Sequence, residues 1–160
     1  MSSWRLIVPI AGLLLAGCGG PCSGSVSEPA AAGERFDATV RRVVDGDTVR
    51  LVPGGSARLI GVDSPEVHGR TECFGREASA FATRRLAGRR VTVEVGAEPR
   101  DRYGRLLVYL YSGGRLFNDE LVREGFATVM TIAPNDARAS ELRAASRMAH
   151  EQARGLWAAC

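Results

Sequence analysis

The chain has 160 residues, 45% apolar and 24% charged, which sets an expectation of one globular domain and excludes a disordered or low-complexity protein. No run reaches the roughly 18–20 apolar residues needed to cross a bilayer, which excludes a multi-pass membrane protein. A net charge of +3 is too small for coating nucleic acid by bulk charge alone.

In chain order, Met1–Gly17 carries one positive charge, Arg5, followed by the apolar run Leu6–Ala16. That run is too short to span a membrane and has the layout of a secretory signal. It ends Leu15-Ala16-Gly17-Cys18. This resembles a bacterial lipoprotein signal, in which cleavage precedes the cysteine and that cysteine, here Cys18, is lipidated; the alternative is an ordinary signal peptide with an incidental cysteine. Residues 18–33 are rich in Gly, Ser, Pro and Ala without periodicity and read as a flexible tether. Residues 34–160 are then the domain, and the protein is expected outside the cytoplasm, lipid-anchored to a membrane of the cell envelope. Of the other cysteines, Cys22 lies in the tether. Cys73 and Cys160 lie in the domain, where an oxidising compartment lets disulfides persist. A bond between them would pin the C-terminal helix to the loop holding Cys73 and stabilise by about 4–5 kcal/mol in the chain-entropy picture; the alternative is two free thiols.

Within the domain, Arg35–Val44 has β-branched content and partial alternation, which predicts a strand. Asp45-Gly46-Asp47 is turn chemistry, with Gly supplying a positive φ. Thr48–Val52 and Ala57–Val62 are predicted strands separated by the Pro53-Gly54-Gly55 turn. Asp63–Gly75 reads as a loop and Arg76–Leu86 as a helix ending before Gly88. Val91, Val93 and Val95 alternate in a fourth strand, and Leu106–Tyr111 forms a fifth after the Asp101–Gly104 turn. Asn118–Glu124 is a short helix. The last helix is capped by Asn135 or Asp136 and closed by Gly155, with Leu142, Ala145, Met148, Ala149 and Gln152 on one largely core-facing stripe. Five short strands with a helix between and helices after predict an α+β fold: a five-stranded antiparallel barrel of the OB type with three helices.

Acidic residues collect beside turns: Asp45 and Asp47 flank Gly46, Asp63 follows Leu59-Ile60-Gly61-Val62, and Glu66 lies three residues on. Carboxylates brought together repel unless a cation lies between them, and oxygen donors suit Ca²⁺ or Mg²⁺. With two histidines and the cysteines engaged elsewhere, zinc is disfavoured. Alone, Asp-Gly-Asp is better explained by turn capping than by a metal site. Two arginines alter the balance. Arg58 lies inside the strand before Asp63, and Arg105 between Tyr103-Gly104 and the apolar Leu106–Leu110. Each either snorkels outward or binds an anion. All 21 basic residues are arginine, in keeping with a biased genome composition, so every cationic contact is a planar fork suited to phosphate or carboxylate. A metal and two forks neutralise a phosphodiester's oxygens as charge builds, and Glu66 is left to position or deprotonate a water.

Val43-Val44-Asp45-Gly46-Asp47-Thr48-Val49, Arg58-Leu59-Ile60-Gly61-Val62-Asp63-Ser64-Pro65-Glu66 and Asp101-Arg102-Tyr103-Gly104-Arg105 resemble, in order, the three signature segments of the staphylococcal nuclease (thermonuclease) family, and the resemblance runs from about Phe36 to Trp157. It implies an OB-fold barrel with three helices and a calcium-dependent phosphodiesterase that cuts DNA and RNA, single-stranded or unpaired regions by preference, leaving 3′-phosphate ends. By position it implies Asp47 and Asp63 as metal carboxylates, Ser64 as a carbonyl ligand where the family often has Thr, and Asp45 beside the metal. It implies Glu66 as the water-activating group, Arg58 and Arg105 as clamps on the scissile phosphate, and Arg102 and Tyr103 on a neighbouring phosphate. The sequence departs from the staphylococcal enzyme at Val129–Pro134, where Met130 and Ile132 stand in a tyrosine-containing, base-stacking stretch, and in a shorter Val67–Gly75 loop bearing Cys73.

Arg84, Arg85, Arg89 and Arg90 bracket the first helix end and read as a solvated face rather than a polyanion-steering patch. His68 reads as an exposed loop residue near Glu66, His150 needs no role, and Trp157 reads as packing at the helix end. Two other functions compete with a monomeric nuclease. A non-catalytic OB-fold module for nucleic acid or protein leaves the full set of acids and arginines unexplained. A structural calcium-binding lipoprotein accounts for Asp47 and Asp63 but leaves Arg58 and Arg105 without a task.

Overall fold

The computed structural model describes residues 30–160; the expected signal, Cys18 and Cys22 lie outside them. Five strands build the core: β1 (Arg35–Val43), β2 (Thr48–Val52), β3 (Gly55–Leu59), β5 (Arg90–Arg100) and β6 (Leu106–Ser112). They run in the order β3-β2-β1-β5-β6, and β3 pairs in parallel with β6 to close the ring. The expected α+β barrel of the OB type is the fold found. Closure follows from alternation. In β5, Val91, Val93 and Val95 all face inward; in β3, Ala57 and Leu59 do, while Ser56 and Arg58 face out. Each strand contributes one apolar face, and a ring buries them all without leaving an edge. Ala30 packs against this core, and the Gly33 amide donates to the Val95 carbonyl (3.1 Å).

The predicted strand Ala57–Val62 is two elements: β3, and β4 (Gly61–Asp63), which leaves the barrel to pair with β8 (Thr128–Met130). The break has local causes. Gly61 takes φ +78°, a conformation that costs other residues strain, and a Cβ there would lie 2.5 Å from Leu142. Ile60 donates to the Val108 carbonyl (2.9 Å), and its own carbonyl accepts from the Asn118 amide (2.9 Å).

Helix α1 (Gly75–Leu86) buries Ala78, Ala82 and Leu86. A two-residue strand β7 (Arg115–Leu116) precedes α2 (Phe117–Arg123), which buries Phe117, Leu121 and Val122. Helix α3 (Ala139–Glu151) buries Leu142, Ala145 and Ala149, but Met148 is 43% exposed and Gln152 lies past the helix end. The stripe is narrower than expected. Neither Asn135 nor Asp136 caps α3 through its side chain; Arg138 stands at the N-cap. Asn135 is buried and makes paired hydrogen bonds with the Glu98 backbone (2.9 and 3.0 Å). Gly155 does not close α3 but precedes a short fourth helix, α4 (Leu156–Ala159), where Trp157 meets His150 edge-on at 5.1 Å. Cys73 and Cys160 are disulfide-bonded, with Cα atoms 6.1 Å apart.

Candidate active site

Strand register assembles the acidic end of the site. Asp47 closes the turn between β1 and β2, and the next residue, Thr48, lies opposite Arg58 across β2–β3. Arg58 points away from the barrel core and therefore lies beside Asp47. Asp63 ends β4, where Thr128 pairs with it. Arg58 spans the two acids: one guanidinium nitrogen contacts Asp47 Oδ1 and the other Asp63 Oδ1 at 2.8 Å.

Asp47 is 1% exposed. Its Oδ1 also accepts the Thr48 hydroxyl (3.0 Å) and its Oδ2 the Ser64 amide (2.8 Å). Burial pushes its carboxyl up to about 7, against the opposing pull of Arg58 and the Ser64 amide. One guanidinium thus leaves this carboxylate undercompensated. Burial alone would lower Arg58, but Asp47 and Asp63 hold it above its ordinary value. Asp45 lies alongside, accepting the Asp47 amide (3.1 Å). Gly46 between them does not adopt a positive φ, contrary to the turn argument. What excludes a side chain there is space: a Cβ would lie 1.9 Å from Ser64 Oγ, whose hydroxyl donates to the Phe126 carbonyl (3.2 Å).

The second arginine reaches the site through barrel closure. In the parallel β3–β6 pair, Ala57 faces Leu106 and Arg58 faces Leu107, which puts Arg105 at the mouth of β6 next to the strand carrying Arg58. Both line a cavity of about 450 Å³ with Arg102, Tyr103, Met130 and Ile132 around it. Asp101 holds Arg105 in place, accepting its Nε (2.7 Å) on one oxygen and its amide (2.9 Å) on the other. Burial raises the Asp101 carboxyl, but these bonds and the Tyr103 amide keep it below the usual carboxylate range. Tyr103 is 67% exposed, its ring packed against the guanidinium groups of Arg102 and Arg105 (4.8 and 5.5 Å). Met130 and Ile132 are also exposed.

Glu66 is exposed in the loop after β4, where its Oε1 accepts the amides of Val67 and His68 (3.0 and 2.9 Å). His68 is tied back, its Nε2 lying 3.1 Å from the Val44 carbonyl. Asp47, Asp63 and Arg58 are thus in contact, and Arg58 and Arg105 share a cavity; Asp47, Asp63 and Glu66 do not line it. Among the described residues, no group of three or more His, Cys, Asp or Glu side chains is placed so that it could hold a metal ion. Of the four arginines near α1, Arg85 pairs with Glu120 (2.6 Å) and Arg90 with Asp37 (3.1 Å).

Two polar residues went unassigned in the sequence. Asp101 sits four residues before Arg105 in Asp-Arg-Tyr-Gly-Arg, a spacing that signals the turn-bridging pair. Asn118 is fully buried, with Oδ1 accepting the Leu110 amide (3.0 Å) and Nδ2 donating to Ile60. In the sequence it is the first of three polar residues, Asn118-Asp119-Glu120, at the start of α2, and nothing there singles it out.

The family model for staphylococcal nuclease homologues matches residues 56–159. Thermonuclease from Staphylococcus intermedius is 36% identical over 124 residues, 74% of this chain and 74% of its own length. The thermonuclease of Staphylococcus hyicus is 35% identical over the same share of this chain and 73% of its own. Endonuclease YhcR of Bacillus subtilis is 37% identical over 146 residues, 81% of this chain but 12% of that protein. Matched by the family model from Ser56 nearly to its end and aligned with thermonucleases on both sides of that boundary, the chain belongs to the staphylococcal nuclease homologue family.

Proposed function

We propose that the protein is a calcium-dependent phosphodiesterase, an endonuclease that hydrolyses single-stranded or unpaired DNA and RNA to products ending in 3′-phosphate. The observation that carries this reading is the position of Arg58, which pairs with Asp47 and Asp63 and lines the cavity that also holds Arg105. Cations for a phosphate and carboxylates for a metal meet at one side chain. The nuclease names of the relatives support the reaction class.

The donor set fits a hard cation. The candidate ligand atoms of Asp47, Asp63 and Ser64 are all oxygens, Asp63 is half exposed while Asp47 is buried, and burial pushes the Asp47 carboxyl up against the pull of its one guanidinium, so a further positive charge beside it would be favourable. We assign Asp47, Asp63 and the Ser64 carbonyl as the residues that hold calcium, with Asp45 alongside steadying the turn that carries Asp47. When bound, the ion supplies neutralisation of the phosphate oxygens.

The chain's own groups do the rest. Arg58 and Arg105 bind non-bridging oxygens as forks and stabilise the charge that accumulates on them. Glu66 accepts a proton from the attacking water, whose oxygen bonds to phosphorus in line with the departing 5′-oxygen. The P–O5′ bond breaks, the 5′-oxygen takes up a proton from solvent, Glu66 later returns its proton to solvent, and phosphate stays on the 3′ side. Asp101 keeps the Arg105 fork aimed without neutralising both of its edges. Arg102 and Tyr103 meet a neighbouring phosphate, and Met130 and Ile132 offer apolar contact to a base, so base stacking is weaker than tyrosine would give.

We further propose a monomer anchored through lipidated Cys18 outside the cytoplasm, with residues 1–17 the cleaved signal and 18–30 the tether, shorter than expected because Ala30 already packs on the barrel and Gly33 bonds to β5. The Cys73–Cys160 bond supports that compartment. The test of the activity is incubation with single-stranded DNA in calcium and then in chelator. Degradation that needs calcium is the expected result. Binding without cleavage would make the domain a binding module instead.

A further inference from the structure

Beyond the groups assigned above, the loop that carries Glu66 is closed by a residue with no task so far. Glu72 grips Glu66 from both sides: its side-chain Oε2 accepts the Glu66 amide (3.0 Å) and its own amide donates to the Glu66 carbonyl (2.9 Å). The Glu72 carbonyl in turn accepts the Gly75 amide (3.1 Å) at the start of α1. The next residue, Cys73, is bonded to Cys160. Cys160 ends α4, which is itself fastened by the Leu156 amide to the Gly125 carbonyl (2.9 Å). A continuous chain of contacts therefore runs from the body of the domain through α4 and the disulfide to Glu72 and the backbone of Glu66. Beyond Glu66 the segment through Thr71 is mostly exposed, with His68 as its other tie.

We propose that Glu72 is a positioning residue for Glu66 and that the Cys73–Cys160 bond, by locking Glu72, sets turnover as well as stability. The reasoning rests on Glu66 being the water-activating carboxylate. Its Oε1 is already oriented by the Val67 and His68 amides, so its aim follows its backbone, and the backbone is held by Glu72. A shift of about 1 Å in such a group is enough to slow the chemical step roughly 100-fold. The Glu72 carboxylate acts here as a hydrogen-bond acceptor, a role an amide oxygen can fill.

The test is steady-state cleavage of single-stranded DNA by the full chain in saturating calcium. Glu72→Ala should lower kcat roughly 10- to 100-fold, with KM and calcium affinity unchanged. Glu72→Gln, which keeps an acceptor for the Glu66 amide, should restore most of it. Replacing Cys73 and Cys160 by Ser should lower kcat in the same direction, and adding Glu72→Ala to that variant should give little further loss; if the Ser variant fails to fold, the Ala and Gln variants of Glu72 decide alone. In a Glu66→Gln background, Glu72→Ala should leave the residual rate unaltered. Wild-type kcat in Glu72→Ala, alongside a collapsed Glu66→Gln, overturns the proposal and leaves the role of Glu66 standing. Equal losses from Glu72→Ala with and without Glu66 overturn it too, by showing that Glu72 acts through folding. Wild-type turnover in Glu66→Gln removes the role of Glu66 and this inference with it.

Discussion

Arg58 contacts one carboxylate oxygen of Asp47 and one of Asp63, so under the proposed assignment of calcium to these two acids the guanidinium competes with the ion for carboxylate oxygens. Removing the side chain therefore has three separable effects. Arg58→Ala leaves Asp47 buried with one hydroxyl and one amide as partners, lowering calcium-free stability by about 2–3 kcal/mol in denaturant unfolding. The same change raises calcium affinity in calorimetry, because a competing positive charge is gone. It also lowers turnover roughly 100- to 1,000-fold, as loss of a preorganised donor to the transition state does. Unchanged calcium affinity would show that Arg58 does not guard the site. Arg105→Ala should lower turnover by a similar factor with folding intact, since its partner Asp101 retains the Tyr103 amide (2.9 Å) and a path to solvent. At Gly46 the limit is space beside Ser64, so Gly46→Ala should disturb the Asp47 turn and weaken calcium binding, although its backbone conformation suits any residue.

At the scale of elements, the barrel was readable because its strands alternate. Val91, Val93 and Val95 in β5 declare one buried face, and the continuous apolar run Leu106–Leu110 marks β6 as a strand buried on both faces, with Tyr109 on the face opposite Val108 and Leu110. The positions of Asp47, Asp63 and Arg105 beside strand ends, and of Arg58 within a strand, were readable from the turns and apolar runs around them, whereas the roles proposed for them came from the resemblance of three ordered motifs. The break at Ile60 was not, since it is made by tertiary partners: Val108 on β6, Asn118 on α2 and Leu142 on α3. The missed β4–β8 pair is likewise a product of that break, and three-residue strands carry too few alternations to register. The α3 boundaries misled for a related reason. Asn135 has the chemistry of a cap, but paired bonds to the Glu98 backbone drew it into the interior instead. Asn118→Ala tests how much this stitching matters. It strands the Leu110 amide and the Ile60 carbonyl, at about 1–3 kcal/mol for each group left unpaired, and should lower the denaturant midpoint with little change in slope.

For the whole molecule, the disulfide spans 87 residues and fastens the C-terminus to the loop beyond β4. Breaking it with Cys160→Ser should cost about 4–5 kcal/mol in the chain-entropy picture, less if the unfolded chain stays compact. A second global feature is the cluster in which Glu94 meets Arg35 (Nε, 3.0 Å), Tyr111 (3.1 Å) and Arg138 (3.8 Å), joining β1, β5, β6 and the start of α3. Burial raises Glu94, but Arg35 and Tyr111 hold it below its ordinary value of 4.5. A carboxyl depressed in the folded state stabilises above its unfolded value and loses that contribution as pH falls through the folded one. The stability gap between wild type and Glu94→Gln should accordingly be full at pH 6 and close on acidification below about pH 4.5. Anchoring is tested by Cys18→Ala, which should move the protein from the membrane fraction to the soluble one.

The most direct test of the account is the single-turnover rate of Glu66→Gln on single-stranded DNA in saturating calcium. The role proposed for this carboxylate, acceptor of the water's proton, predicts a fall of roughly 100- to 10,000-fold, with calcium affinity and melting temperature unchanged. Cleavage at the wild-type rate would contradict it.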